Sequence, residues 1–117
     1  MAVNIFDIEG LDWSSVGNTW AGKAADDQPG VRFKPFTIGD GPVPRGQLVE
    51  YDVGHFEGAH SHGEDEILFL LSGHLSIDEK QLSPGTLVYI EGGTVYGPLK
   101  SEEGCRFLRL HIGKERE

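Results

Sequence analysis

At 117 residues the chain fits one domain, with room for a single sizeable core. Ten basic against nineteen acidic side chains leave a formal charge of −9, and repulsion from phosphates argues against nucleic acid or an anionic membrane as the main partner. The lone Cys105 cannot close an internal disulfide, no apolar run approaches the ~20 residues of a membrane span, and the start of the chain lacks a signal-peptide pattern, so a cytoplasmic location is expected.

Residues 1–30 carry the weakest pattern. Val3 to Ile8 alternates like a short strand, Asp12-Trp13-Ser14-Ser15 resembles a turn or helix start, and 21–30 reads as a surface loop. Trp13 and Trp20 are expected to pack as a lid over one end of the core, with direct substrate contact as the other reading. From Val31 the chain turns to strands. Val31 to Thr37 alternates, with Pro35 marking an edge. Gly39 to Pro44 is dense in turn residues, and Gln47 to Val53 alternates as a half-buried strand. A strand is expected to end at His60 and His62, Gly63-Glu64-Asp65 to turn, and Glu66 to open the next strand. There Glu66, Leu68 and Leu70 share one face and Ile67, Phe69 and Leu71 the other, so burial on both sides is expected. His74 to Ile77 follows, then a hairpin tip at Asp78-Glu79-Lys80 and a turn at Ser83-Pro84-Gly85. Thr86 to Ile90 reads as a central strand, and Thr94-Val95-Tyr96 as a continuation. Cys105 to Ile112 is the last strand, with Phe107, Arg109 and His111 on one face. About eight short strands and no convincing helix predict an all-β, closed or double-sheet architecture.

The chemistry concentrates between Gly54 and Gly73, which hold three of the five histidines. His60 and His62 lie two apart and Glu66 follows four residues later. Two imidazoles and a carboxylate suit a borderline divalent ion such as iron, manganese, nickel or zinc. A glutamate on a buried strand also needs a partner, which a cation supplies. No phosphate-binding glycine loop, Gly-x-Ser-x-Gly elbow or Cys-x-x-Cys competes, and Cys105 has no activating base beside it in the sequence.

Gly54, five residues, His60-x-His62, three residues, Glu66, six residues, Gly73 fits the first cupin motif throughout. The second motif resembles Gly85, five residues, Glu91-Gly92-Gly93, two residues, Tyr96, with Glu91 where proline is usual and Tyr96 where a fourth ligand histidine is usual. Pro29 to Phe36 is similar to the ChrR-like cupins and the related dihydroxyacetophenone dioxygenases. The resemblance implies a single-domain cupin-type jelly-roll β-barrel over 31–112, with an N-terminal arm at 1–30 and a polar tail at 113–117. It also implies a metal-dependent enzyme acting on a small molecule, and a possible homodimer.

Three roles for Tyr96 stay open: a neighbour of a His60/His62/Glu66 site that leaves positions for substrate and dioxygen on Fe(II), a phenolate ligand, or part of a binding shell without metal chemistry. The expected activity is dioxygenase-type. The alternatives are an isomerase, lyase or cyclase with Tyr96 in proton transfer, and a non-catalytic ligand-binding module. His111 is expected to be an interior hydrogen-bonded histidine or the replacement ligand, His55 and His74 to be structural or exposed, and Glu64 and Asp65 to form a solvated turn. Arg109 suits an anionic substrate if its face looks inward, and the facing stays open.

Overall fold

The computed structural model describes residues 3–13, 30–38 and 45–115. Nine strands lie within them: β1 (Val31–Phe36), β2 (Gly46–Tyr51), β3 (His55–Glu57), β4 (Glu64–Gly73), β5 (Leu75–Ile77), β6 (Lys80–Leu82), β7 (Leu87–Ile90), β8 (Leu99–Ser101) and β9 (Cys105–Glu115). They form two antiparallel sheets, one ordered β1-β2-β9-β4-β7 and the other β3-β8-β5-β6. No α-helix occurs among the described residues. A single 3₁₀ turn, Ile8–Gly10, is the only helical element there.

The core lies between the sheets. Phe33, Val49, Leu68, Leu70 and Phe107 from the larger sheet meet Leu75 and Leu99 from the smaller one in a single cluster. Burying each such side chain contributes about 1.5–3 kcal/mol, and the alternation of β1, β2, β4 and β9 sends one apolar set inward from each strand. This is a jelly-roll β-barrel. The β5–β6 hairpin turns at Asp78 and Glu79, both at positive φ, the backbone a tight two-residue hairpin turn demands.

Several expectations are corrected. Val3 to Asp7 is not a strand: Val3 and Ile5 are 84% and 88% exposed, without a strand to pair with, and the chain then enters the 3₁₀ turn. Trp13 does not cap a barrel end. It lies against the outer face of β1, its ring 4.6 Å from the Arg32 guanidinium and 4.7 Å from Lys34 Nζ. That cover keeps Lys34 buried, and its ammonium donates to the Glu9 carbonyl at 2.9 Å. Trp20, the 21–29 loop and the Gly39–Pro44 turn fall outside the described residues. β7 is an edge strand rather than a central one, with Leu87 and Tyr89 half exposed. β4 is buried on one face only, since Leu71 is 42% exposed on the other. Glu64 and Asp65 belong to β4 rather than to a solvated turn, because Glu64 already pairs with Glu115 of β9.

Pro35 sits at the sheet edge on β1, as expected. The open facing of β9 is resolved as well. Phe107, Arg109 and His111 point inward and are all at least 96% buried, while Ile112 points out.

Candidate metal centre

β4 and β9 build the floor of the site. Their register sets Glu66 opposite His111, and both side chains face the barrel interior. Glu64, two residues before Glu66, shares that face. His111 therefore lies between two carboxylates: Nδ1 is 3.1 Å from Glu64 Oε2 and Nε2 is 3.1 Å from Glu66 Oε2. Arg45 holds Glu64 from the other side, Nη2 to Oε1 at 2.6 Å. A neutral imidazole has one N–H, so it satisfies only one of these carboxylates as a donor. With Nδ1–H on Glu64, the Nε2 lone pair faces Glu66 and suits a cation, the arrangement in which a carboxylate orients a ligating histidine.

The rim comes from the loops after β3 and β7. His60 and Tyr96 form an isolated antiparallel bridge, with N–H to O=C distances of 3.0 and 2.9 Å in the two directions. That pairing brings their rings to 4.7 Å, tilted by 54° to one another. The Gly93 N–H donates to the His62 carbonyl at 2.7 Å, and Asp65 accepts from the Gly92 N–H at 2.8 Å and the Tyr89 hydroxyl at 2.9 Å. Gly92 also lies so close to the Gly63 carbonyl that a Cβ there would meet its oxygen at 2.4 Å.

His62, Glu66 and His111 each offer a ligand atom, and these atoms lie within 4.8 Å of one another. His62 Nε2 is buried and has no hydrogen-bond partner among the described residues. Two imidazoles and a carboxylate, one nitrogen left unsatisfied, fit a divalent ion. His60 stands beside the group rather than in it, its ring 5.0 Å from that of His62. Its Nδ1 hydrogen-bonds the Gly58 carbonyl at 2.9 Å, which leaves Nε2 as the lone-pair nitrogen. His111, weighed from sequence mainly as an interior hydrogen-bonded residue, is both that and a member of the group. The signal that finds it is the inward face of β9, visible only once Glu66 and His111 are in register. His55 and His74 lie elsewhere: His55 stacks on Tyr51 at 4.3 Å, and His74 contacts Gln81.

Tyr96 donates its hydroxyl to Glu66 Oε1. Burial, reinforced by the Glu66 carboxylate and only partly offset by Arg109, pushes this phenol well above its usual pKa. It is thus a neutral donor held against a carboxylate. Burial works against the charge on Glu66, but the His111 hydrogen bond, Arg109, Tyr96 and His62 outweigh it and bring the carboxyl from 4.5 down to about 2. Burial lowers His62 from 6.5 to about 4, so it is neutral at physiological pH, as a ligand must be. Cys105 is buried and its thiol raised by that burial, which makes it a poor nucleophile.

Acid stability follows from these two depressed values. Between pH 6.5 and 4 the unfolded chain binds the His62 proton that the folded chain refuses, and between 4.5 and 2 the same holds for Glu66. Metal-free protein is therefore expected to lose stability steadily as pH falls from 6.5 towards 2. Urea unfolding at pH 7, 5.5 and 4 checks the first part, which His62→Gln should flatten. An unchanged slope in that variant would assign the loss to other groups.

Solved structures share this architecture at low sequence identity. A sugar phosphate isomerase from a cupin superfamily, from Silicibacter pomeroyi, matches 95% of this chain and 76% of its own with a TM-score of 0.66 at 16% identity. The fold is the cupin fold. KdgF from Halomonas sp. gives a TM-score of 0.63 at 20% identity over 97% of both chains. A chain in the Rhodobacter sphaeroides complex of SigE with the anti-sigma ChrR gives 0.63 at 17% identity over 90% of this chain. There this chain spans about half of its counterpart, 51%. No protein-family model matches the sequence, and no curated protein does. Among the described residues no helix is long and apolar enough to cross a membrane.

Proposed function

We propose that this cupin is a divalent-metal-dependent enzyme acting on a small molecule, with the ion held by His62, Glu66 and His111, His60 adjoining them, and Tyr96 handling protons. The observation that carries the reading is the buried His62 Nε2 without a partner, within 4.8 Å of the Glu66 and His111 donors. Bound there, an ion supplies Lewis acidity and, if it is iron(II), one-electron chemistry toward dioxygen. The chain's own contribution is to fix and desolvate. Glu64 orients His111, Tyr96 holds one oxygen of Glu66, and the His60–Tyr96 bridge closes the rim.

Two histidines with one carboxylate support a dioxygenase-type oxidoreductase and iron(II) as its ion, with manganese, nickel and zinc as the other candidates. The test is oxygen uptake by iron-reconstituted protein with diketone, phenolic-ketone and enediol substrates. Silence across that panel removes the dioxygenase reading.

A second reading rests on the Tyr96 hydroxyl, a neutral donor placed on a candidate ligand. It is an isomerase, lyase or cyclase in which Tyr96 moves a proton, a role for which the likeness to a sugar phosphate isomerase is support of fold only. Under this reading zinc-loaded protein turns over without oxygen, and Tyr96→Phe keeps its metal while losing turnover by about a hundredfold or more, the usual weight of general acid–base catalysis. Normal turnover in that variant would end the proton role. Protein that takes up no divalent ion at all would leave only the non-catalytic binding module.

A further inference from the structure

Arg109 is an inward side chain that the site above uses only through the field of its charge on Glu66 and Tyr96. It lies on the inner face of β9, two residues before His111 and opposite Leu68 of β4 and Gln47 of β2. It is 4% exposed, and an uncompensated charge in such a place is costly. None of the ion pairs among the described residues includes it. Its Nη1 donates to the neutral Gln47 Oε1 at 3.3 Å, while its Nε has no hydrogen-bond partner there. The guanidinium carbon lies 5.6 Å from the centre of the Phe107 ring, on one side of the group. Gln47 takes Nη1, so the Nε–Nη2 edge is the fork it leaves, the edge that grips a carboxylate with two parallel hydrogen bonds.

We infer that Arg109 anchors a carboxylate of the substrate, a small organic acid whose remaining oxygens extend toward His62, Glu66 and His111. Successive inward residues on a strand are ~6.6 Å apart, so Arg109 and His111 suit the two ends of a molecule of a few carbons. Glu57 and Glu66 both act electrostatically on Arg109, and these two carboxylates oppose a dianionic phosphate more than a singly charged acid. The half-buried His60 and His62 place the approach from solvent on the ion side, with Arg109 deeper. This inference rests on the metal-centre reading for the position of the second end, and only for that.

The experiment is calorimetric titration of metal-free and zinc-loaded protein with 2-oxo, 3-oxo and 2-hydroxy acids of three to six carbons. Each acid is paired with its neutral amide, and inorganic phosphate is a further arm. Wild type is expected to bind at least one acid more than about tenfold tighter than its amide, in line with a charge-assisted pair. Arg109→Met should erase that preference, Arg109→Lys should keep a weakened one, and both should take up zinc like wild type. Equal binding of acids and amides by wild type overturns the proposal. So does an acid preference that survives Arg109→Met, or Arg109-dependent binding of phosphate alone. Failure of wild type to take up zinc is a separate result: it sinks the metal-centre reading and leaves the acid preference measurable on metal-free protein.

Discussion

Alanine at His62, Glu66 or His111 is expected to lower divalent-ion affinity by well over a hundredfold, since loss of even an orienting neighbour of a ligand costs 10–100-fold. His60→Ala is expected to cost far less, because His60 stands outside the group whose donors lie within 4.8 Å. The physical reason is the β4–β9 register, which sets Glu66 against His111, while His60 sits on the rim with its ring against that of Tyr96. Glu64→Gln should fall between the two classes. It keeps an oxygen for His111 Nδ1 but loses the charge that Arg45 supports. Elemental analysis of freshly purified variants, with cobalt titration of the metal-free forms, reads all five. Normal loading of His111→Ala together with failure of His60→Ala would return the ligand role to His60. Metal that survives every change would remove the centre altogether.

Gly73→Ala should be the most damaging single methyl group in the barrel. Gly73 closes β4 at φ +83°, and a Cβ there would meet the Gly104 carbonyl oxygen at 2.2 Å and Cys105 Cα at 2.7 Å. Both are backbone atoms of the neighbouring chain segment, so no side chain can swing aside. Left-handed backbone costs about 1–2 kcal/mol for a residue with a Cβ and the overlap a further 1–3, giving about 2–5 kcal/mol in all. Thermal unfolding should show a drop of roughly 10 °C or more, against a control at Gly54. Gly54 has the same φ, +83°, but open space where the Cβ would go, so Gly54→Ala should lose only the conformational part. Equal losses at the two sites would show that the close approach carries no energy of its own.

The contrast explains what was legible in the sequence. Gly54 and Gly73 occupy equivalent-looking places in the motif spacing, and the spacing revealed the fold, yet only chain packing separates their roles. Alternation located Glu66, Leu68 and Leu70 on one face of β4, and turn residues located the hairpin tip at Asp78 and Glu79, because those signals are local. The partner of Glu66 was not local. His111 lies 45 residues away along the chain, and nothing short of the β4–β9 register says which way the last strand faces. The same gap hid the edge position of β7: its residues favour strands equally at a sheet's centre and at its rim. It also hid the outer cover of β1, since Trp13 reaches it from a segment without regular pattern.

The bracing between the two rim loops has a kinetic meaning. The His60–Tyr96 bridge and the Gly93–His62 hydrogen bond join the loop after β3 to the loop after β7, while the Asp65 contacts to Gly92 and Tyr89 tie the start of β4 to β7 and the loop after it. Neither can swing out alone without stranding amides of the other. Opening of either loop is therefore coupled to opening of the other, and their amides are expected to exchange with solvent at one common rate.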